Sequence, residues 1–528
     1  MPQILDRENW MSFLDKSVRI IDTVIPASHD SSCYPTTDVI QTFENEWVGA
    51  VTQLAGYTAQ LNTGVRYFDM RVAHHNGDLY MHHSDYYFET FDNVLTQIRN
   101  FSNDHPGEYI FLDIDFDLND ANLDQDILNK ILQHIDESKI STAHLPGGVF
   151  NPAVTWNDLG DTRFLITWAK NDWDGKPWLG FNDYFRESFY DEFNKKSPEE
   201  IIHAIANEIN NNWRQDKLFV TQAINTPFLS PLTHPGGLDA NAQGLLNGWI
   251  DANLYPDLYQ KFPQIAGTYP RLNKGFNIVM RDFVNAGYNR LTIDALIKKN
   301  KFTSQPLINL GDQINCLDTV RFRTEHGQYL SLGSDNFVTL IDQPDNSCNF
   351  LLRDYNFKKD EYLPYSGNMD QNHLADQGNF RMVPNSDGQA AYLSGDNTRV
   401  LTINSPDNKH RLMYPMSWGD SQDQESFMCY DPDNNSNSGR MYVGSRVVIK
   451  SLIGEATNWF QSLIQGAESI FIKIIPFMGD AFSAAINGDP GRHPFLMATY
   501  DKSNNGKASV YVASPGFEYA TTFIIEKV

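Results

Sequence analysis

Between Val24 and Asp85 the chain reads V-I-P-A-S-H-D-S-S, then G-V-R-Y-F-D-M-R-V, then L-Y-M-H-H-S-D. These runs put His29, Asp30, Asp69, Arg71 and the pair His82/His83 at the ends of three short apolar stretches. A base, an acid and a fixed cation are what is needed to open a phosphodiester without water. Histidine suits both proton transfers because its ordinary pKa lies near working pH. Arginine suits the charge between them, since its fork pairs with phosphate oxygens and stays protonated. Asp69 and Arg71 are two residues apart, so on a strand both leave the same face. Cys33, four residues beyond His29, invites a Cys–His reading, but a small buried residue is the simpler expectation.

These motifs resemble the catalytic X region of the phosphatidylinositol-specific phospholipases C, and most of all its bacterial, single-chain branch. The shared features are an Ile-Pro-small-Thr/Ser-His-Asp-Ser loop, a Gly-x-Arg-x-Phe-Asp-x-Arg strand and a second histidine about a dozen residues on. The match continues through T-F-D-N-V-L-T-Q-I-R-N-F and H-P-G-E-Y-I-F-L-D-I. It is good over 8–120 and thinner to about 295. The resemblance implies cleavage of phosphatidylinositol to diacylglycerol and inositol 1,2-cyclic phosphate. His29 would be the general base and His83 the general acid; Arg71 would sit on the phosphate, oriented by Asp30 and Asp69. F-N-I-V-M-R-D-F-V-N matches the strand whose carboxylate pairs with the base, which nominates Asp282. S-F-Y-D-E-F matches the inositol-binding loop and nominates Asp191, with Phe193 where relatives carry tyrosine. Ser84 stands where glycine often follows the second histidine. Metal-independent members carry arginine at the Arg71 position and lysine on the fourth strand, whereas calcium-dependent members carry carboxylates at both. Here Arg71 is of the first kind and Asp115 of the second, so no metal is expected, with calcium on Asp30, Asp69 and Asp115 as the alternative.

The elements that must position these residues follow from patterning. From 8 to about 295, strand-like runs at 19–25, 65–72, 79–82, 109–116, 163–168, 217–223 and 276–281 alternate with helical segments at 89–101, 123–140 and 198–213. That alternation predicts an α/β, TIM-type barrel, distortion allowed, spanning 1–300, with chemistry at the carboxyl ends of its strands. Along 109–116, Asp113, Asp115 and Asp117 share a face that a barrel turns inward, where a polyhydroxylated ring would satisfy them. Beyond 300, short β runs between polar turns predict an all-β domain over 301–528 with lipid or glycan binding as its expected role. V-R-F-R-T-E-H-G-Q-Y-L-S-L resembles a β-trefoil or fascin-like repeat. A helical insertion at about 452–488 carries Trp459 and Phe460, suited to core packing or to a membrane interface.

The chain has 528 residues, enough for two domains, and a net charge of −25. That charge argues against nucleic acid and means that contact with an anionic membrane must be local and apolar. Four cysteines make neither a disulfide framework nor a zinc pattern. No run approaches the ~18 apolar residues of a spanning helix. The first residues lack a signal-peptide core. The expected setting is nonetheless a secreted, bacterial, monomeric protein, peripheral at membranes, with a cytoplasmic one as the alternative. The competing functions are a metal-dependent glycerophosphodiester or sphingomyelin phosphodiesterase, or a non-catalytic lipid- or carbohydrate-binding protein.

Overall fold

A computed structural model of the chain describes residues 3–34, 52–143 apart from 54, 84–85 and 121, then 150–169, 179–181, 186–189, 216–223 and 277–314 apart from 283 and 286. Further on it describes 318–332 apart from 326, then 338–356, 442–451 and 522–528, together with the backbone of the further strands named below. Contacts divide the chain into Leu5–Ile308 and Asn309–Val528, the latter joined by Met1–Ile4.

The first unit is built on strands β1 (Ile25–Ser28), β2 (Tyr67–His75), β3 (Asp78–His83), β4 (Tyr86–Thr90), β5 (Ile110–Phe116), β6 (Phe164–Trp168), β7 (Leu179–Phe181), β8 (Arg186–Phe189), β9 (Leu218–Gln222) and β10 (Ile278–Arg281). Eight of them pair in parallel in the order β7-β6-β5-β2-β1-β10-β9-β8. The last parallel strand, β10, pairs with the first, β1, as in a ring. No pairing joins β7 to β8 among the described residues. β3 and β4 stand off this ring as an antiparallel extension of β2. Run 79–82 is therefore one arm of a hairpin and not a barrel strand. The turn explains it: Asn76 and Gly77 take φ of 51° and 90°, the left-handed pair that a two-residue hairpin requires.

Helices α1 (Tyr57–Thr63), α2 (Phe91–Asp104), α3 (Leu123–His134) and α4 (Gly287–Lys298) accompany the sheet. α2 buries Phe91, Val94, Leu95, Ile98 and Phe101, the spacing of one helical face. Thr90 caps it, its hydroxyl accepting the Asn93 amide at 3.3 Å. α3 stops at His134 rather than 140, because Asp136 caps a new 3-10 turn over Glu137–Lys139. Run 19–25 is likewise not a strand: Ile20–Asp22 form a 3-10 turn closed by the Arg19–Asp22 ion pair at 2.6 Å, and β1 begins only at Ile25. Segment 198–213 lies outside the described residues.

Two buried arginines anchor the base of β2 and α4. Arg66, fully buried, pairs with Glu108 at 2.8 Å and donates to the carbonyls of Leu61, Val65, Arg7 and Glu8. Arg7 pairs with Asp294 on α4 at 2.6 Å. The first arginine of the G-V-R-Y-F-D-M-R run is thus structural, and the second, Arg71, is at the site.

The second unit is antiparallel β. Its largest sheet runs through Tyr329–Leu332, Val338–Ile341, Ala508–Ser514, Phe495–Tyr500, Arg446–Ser451, Thr522–Lys527, Thr319–Thr324, Phe350–Asn356 and Phe380–Pro384, ending at Phe427–Asp431 and Ser436–Asn437. The β-trefoil expected from one sequence phrase is not shown; two further pairings, of Thr319–Thr324 with Tyr329–Leu332 and of Phe427–Asp431 with Arg446–Ser451, tie this path back on itself. The helical insertion at 452–488, with Trp459 and Phe460, lies outside the described residues.

Candidate active site

β1 ends at Ser28, and the backbone turns at Asp30, whose φ is 39°. β1 pairs with β2 only at Tyr67 and Phe68, so Asp69 and Arg71 occupy the position where β1 has already ended. Asp69 holds the turn: its Oδ2 accepts the Asp30 amide at 3.1 Å, and its carbonyl accepts the Ser31 amide at 2.9 Å. Gln53 clamps the other side. Its amide nitrogen donates to the carbonyls of His29 (2.8 Å) and Arg281 (3.1 Å), and its Oε1 accepts the Val284 amide at 3.2 Å. Sequence reasoning missed Gln53, because a backbone clamp carries no motif of its own.

The turn places one buried carboxylate among a guanidinium and two imidazoles. Asp30 Oδ1 lies 2.6 Å from Arg71 Nε, and Oδ2 lies 3.3 Å from His83 Nε2 and 3.6 Å from His29 Nε2. These are close approaches rather than aligned hydrogen bonds. Arg71 also stands 3.8 Å from Asp69 and keeps about a third of its side chain exposed, as a group that meets an incoming anion must. Asp282, one residue past β10, accepts or shares a proton with His29 Nδ1 at 2.8 Å. His29, Asp30, Asp69, Arg71, His83 and Asp282 therefore converge, although Asp282 is 253 residues from its partner.

The electrostatics are unequal. Burial opposes charge on His29, but Asp30 and Asp282 overcome it and the imidazole pKa is pushed up to about 10. Burial pulls His83 below its ordinary value; Asp30 works against this, while Arg71 and His29 add to it. Burial likewise opposes charge on Asp30, yet His29, Arg71 and His83 hold its carboxyl below the usual range. Asp69 is pushed up by burial, with Arg71 opposing and Asp30 adding. The substrate-free site thus holds its proton on His29 and leaves His83 neutral. One imidazole can give a proton while the other takes one, beside a guanidinium that stays charged.

The two aspartates of β5 and Asp117 just beyond it do not share one fate. Asp113 is buried, accepting from the Tyr67 hydroxyl at 2.7 Å and from the Thr167 hydroxyl. Asp115 is exposed, in register with Arg71, and its Oδ1 accepts the Phe116 amide. Asp117 lies past the strand end and binds Asn119. Asp191, Phe193 and Ser84 lie outside the described residues. Cys33 is buried, and burial and the Asp30 charge push its thiol well above the ordinary value, which leaves no thiolate for catalysis. Ligand atoms of His29, Asp30 and Asp69 lie within 4.8 Å of one another, close enough to share a cation; Asp115 is not part of that group.

No protein-family model matches the chain. A 1-phosphatidylinositol phosphodiesterase of Staphylococcus aureus (strain Newman) is 31% identical over 116 residues, 18% of this chain and 36% of the relative. The chain thus spans about a third of the length of that relative. PI-PLC X domain-containing protein 3 of Mus musculus is 22% identical over 320 residues, 53% of this chain and 90% of the relative. Among solved structures, a phosphatidylinositol-specific phospholipase C from Listeria monocytogenes is 19% identical, with 57% of this chain and all of that chain covered at a TM-score of 0.40. By sequence, then, the chain is similar to a bacterial 1-phosphatidylinositol phosphodiesterase and to a PI-PLC X domain-containing protein.

Proposed function

We propose that the chain is a phosphatidylinositol-specific phospholipase C that works by intramolecular transfer in a parallel barrel. The observation that carries this is the contact of Asp30 with Arg71, His29 and His83 together. In the proposed reaction His29, in its neutral form, takes the proton of the inositol 2-hydroxyl, and that oxygen attacks phosphorus. Arg71 neutralises the charge gathering on the phosphorane oxygens. His83 gives its proton to the diacylglycerol oxygen as that bond breaks, releasing diacylglycerol and inositol 1,2-cyclic phosphate.

The resting protonation is the reverse of what this step needs, and it suits hydrolysis of the cyclic product: neutral His83 takes a proton from water, and charged His29 protonates the 2-oxygen. A phosphate anion beside Arg71 and His83 favours moving the proton from His29 to His83, and Asp30 lies between their Nε2 atoms. Turnover of phosphatidylinositol against phosphatidylcholine and sphingomyelin, with products followed by phosphorus NMR, tests the reading. Cyclic phosphate should appear first from phosphatidylinositol alone, and acyclic monophosphate from the outset would contradict it.

We read the reaction as metal-independent, because Arg71 already pairs with Asp30 and supplies the charge over the phosphate. The calcium set Asp30, Asp69 and Asp115 fits poorly, since Asp115 is exposed and bonded to its own strand. The closeness of His29, Asp30 and Asp69 favours a metal-dependent phosphodiesterase as the second reading. Activity in excess EDTA separates them: full loss, restored by calcium, would establish the second.

A further inference from the structure

The hairpin that carries His83 also carries a strip of rings that the reaction above does not use. On β2, Asp69, Arg71, Ala73 and His75 alternate onto one face. Ala73 pairs with Tyr80 on β3, and His82 pairs with Tyr87 on β4, so Tyr80, His82 and Tyr87 share the face of Arg71. The rings touch in series. His75 stacks on Tyr87 at 4.0 Å between centroids and meets Tyr80 edge-on at 5.4 Å; Tyr80 and Tyr87 stand 6.4 Å apart, and His82 and Tyr87 6.2 Å. All four are half-buried, whereas the opposite face of the hairpin is sealed by Leu79, Met81 and Val72. Glu89, farther along β4, is turned to the Gln97 amide, and burial pushes its carboxyl up to about 7.

We propose that this His75–Tyr80–Tyr87–His82 strip is the seat for the glycerol and proximal acyl chains of the lipid at the bilayer interface. The inference rests on the phospholipase reading, in which Arg71 meets the phosphate. Arg71 leaves β2 on the face of the strip, so the glycerol bonded to that phosphate lies toward these rings. Rings with an apolar body and a polar tip favour the membrane–water boundary. A chain of net charge −25 has no general attraction to an acidic lipid surface and needs such a local foothold.

The test is Tyr80→Thr/Tyr87→Thr, which removes both rings and keeps strand-forming residues. Co-sedimentation with phosphatidylcholine vesicles containing phosphatidylinositol, in a His29→Ala background, reads binding without turnover. The ratio of kcat/KM on vesicles to kcat/KM on monomeric short-chain phosphatidylinositol reads the same surface during catalysis. Both should fall about tenfold or more, and Tyr80→Phe/Tyr87→Phe should restore most of each. Unchanged binding and ratio overturn the proposal, as does an equal loss on both substrates with a lowered Tm. Should the threonine variant not fold, hydrogen exchange of the unaltered protein decides: vesicles should slow the β3 and β4 amides, and no slowing there overturns the seat. A protein that binds vesicles through these rings yet cleaves no phosphatidylinositol would refute the phospholipase reading and leave the seat standing.

Discussion

Asp30 is the residue on which the site turns, and its neighbours give two predictions. The kcat/KM profile reports the free protein's titrations, here those of a coupled histidine pair. The acidic limb should lie below the ordinary histidine value, because His83 is lowered, and the alkaline limb near 10, because His29 is raised. The Asp282 carboxylate favours the His29 imidazolium, so Asp282→Asn should move the alkaline limb down by about 1–3 pH units. An unmoved limb would show that His29 does not set it. Arg71→Lys should lower kcat about 10²-fold or more, since a point charge cannot replace a fork aimed at phosphate oxygens. Steady-state kinetics on a soluble substrate would measure it. At this scale the sequence was informative: His29, Asp30, Asp69 and Arg71 lie in two short runs that two paired strands and the turn at Asp30 bring together. Gln53 was hidden because its whole task is to hold backbone carbonyls.

At the scale of elements, the placement of His83 depends on a hairpin. Gly77 sits at φ 90° with open space where a side chain would stand, so Gly77→Val meets only the conformational penalty, about 1–2 kcal/mol. Denaturant unfolding should show that loss, and kcat should fall with it because β3 carries His83 to Asp30. Arg66→Met leaves Glu108 buried without its cation and should cost about 3–5 kcal/mol, read in the same way. The alternation of strands and helices revealed the parallel sheet, but it made β3 look like one more member. An antiparallel arm has the same apolar composition as a ring strand, and only the Asn76-Gly77 turn tells them apart. The early end of α3 was equally invisible, because the helical periodicity runs on past Asp136 while the cap at Asp136 restarts the backbone.

For the whole molecule the acidic balance has a measurable consequence. Surface repulsion between a chain of charge −25 and phosphatidylinositol-bearing vesicles is screened as salt rises, with a Debye length of about 10 Å at 0.1 M. Association and vesicle turnover should therefore increase from low to moderate ionic strength, the opposite of a basic peripheral protein. A decrease would point to a positively charged docking patch instead. The strand pairings also impose an order on synthesis. β1 waits for β10, so His29 gains Asp282 only once the ribosome has passed residue 282. The first unit, Leu5–Ile308, is then nearly complete, and it can fold while the remainder is still being made. The second unit has no such freedom: Thr319–Thr324, its first strand, pairs with Thr522–Lys527, the last. A stalled or clipped message that ends before Thr522 would give a nascent chain able to assemble its first unit but holding an open β edge in the second, the kind of edge that recruits chaperones or other copies.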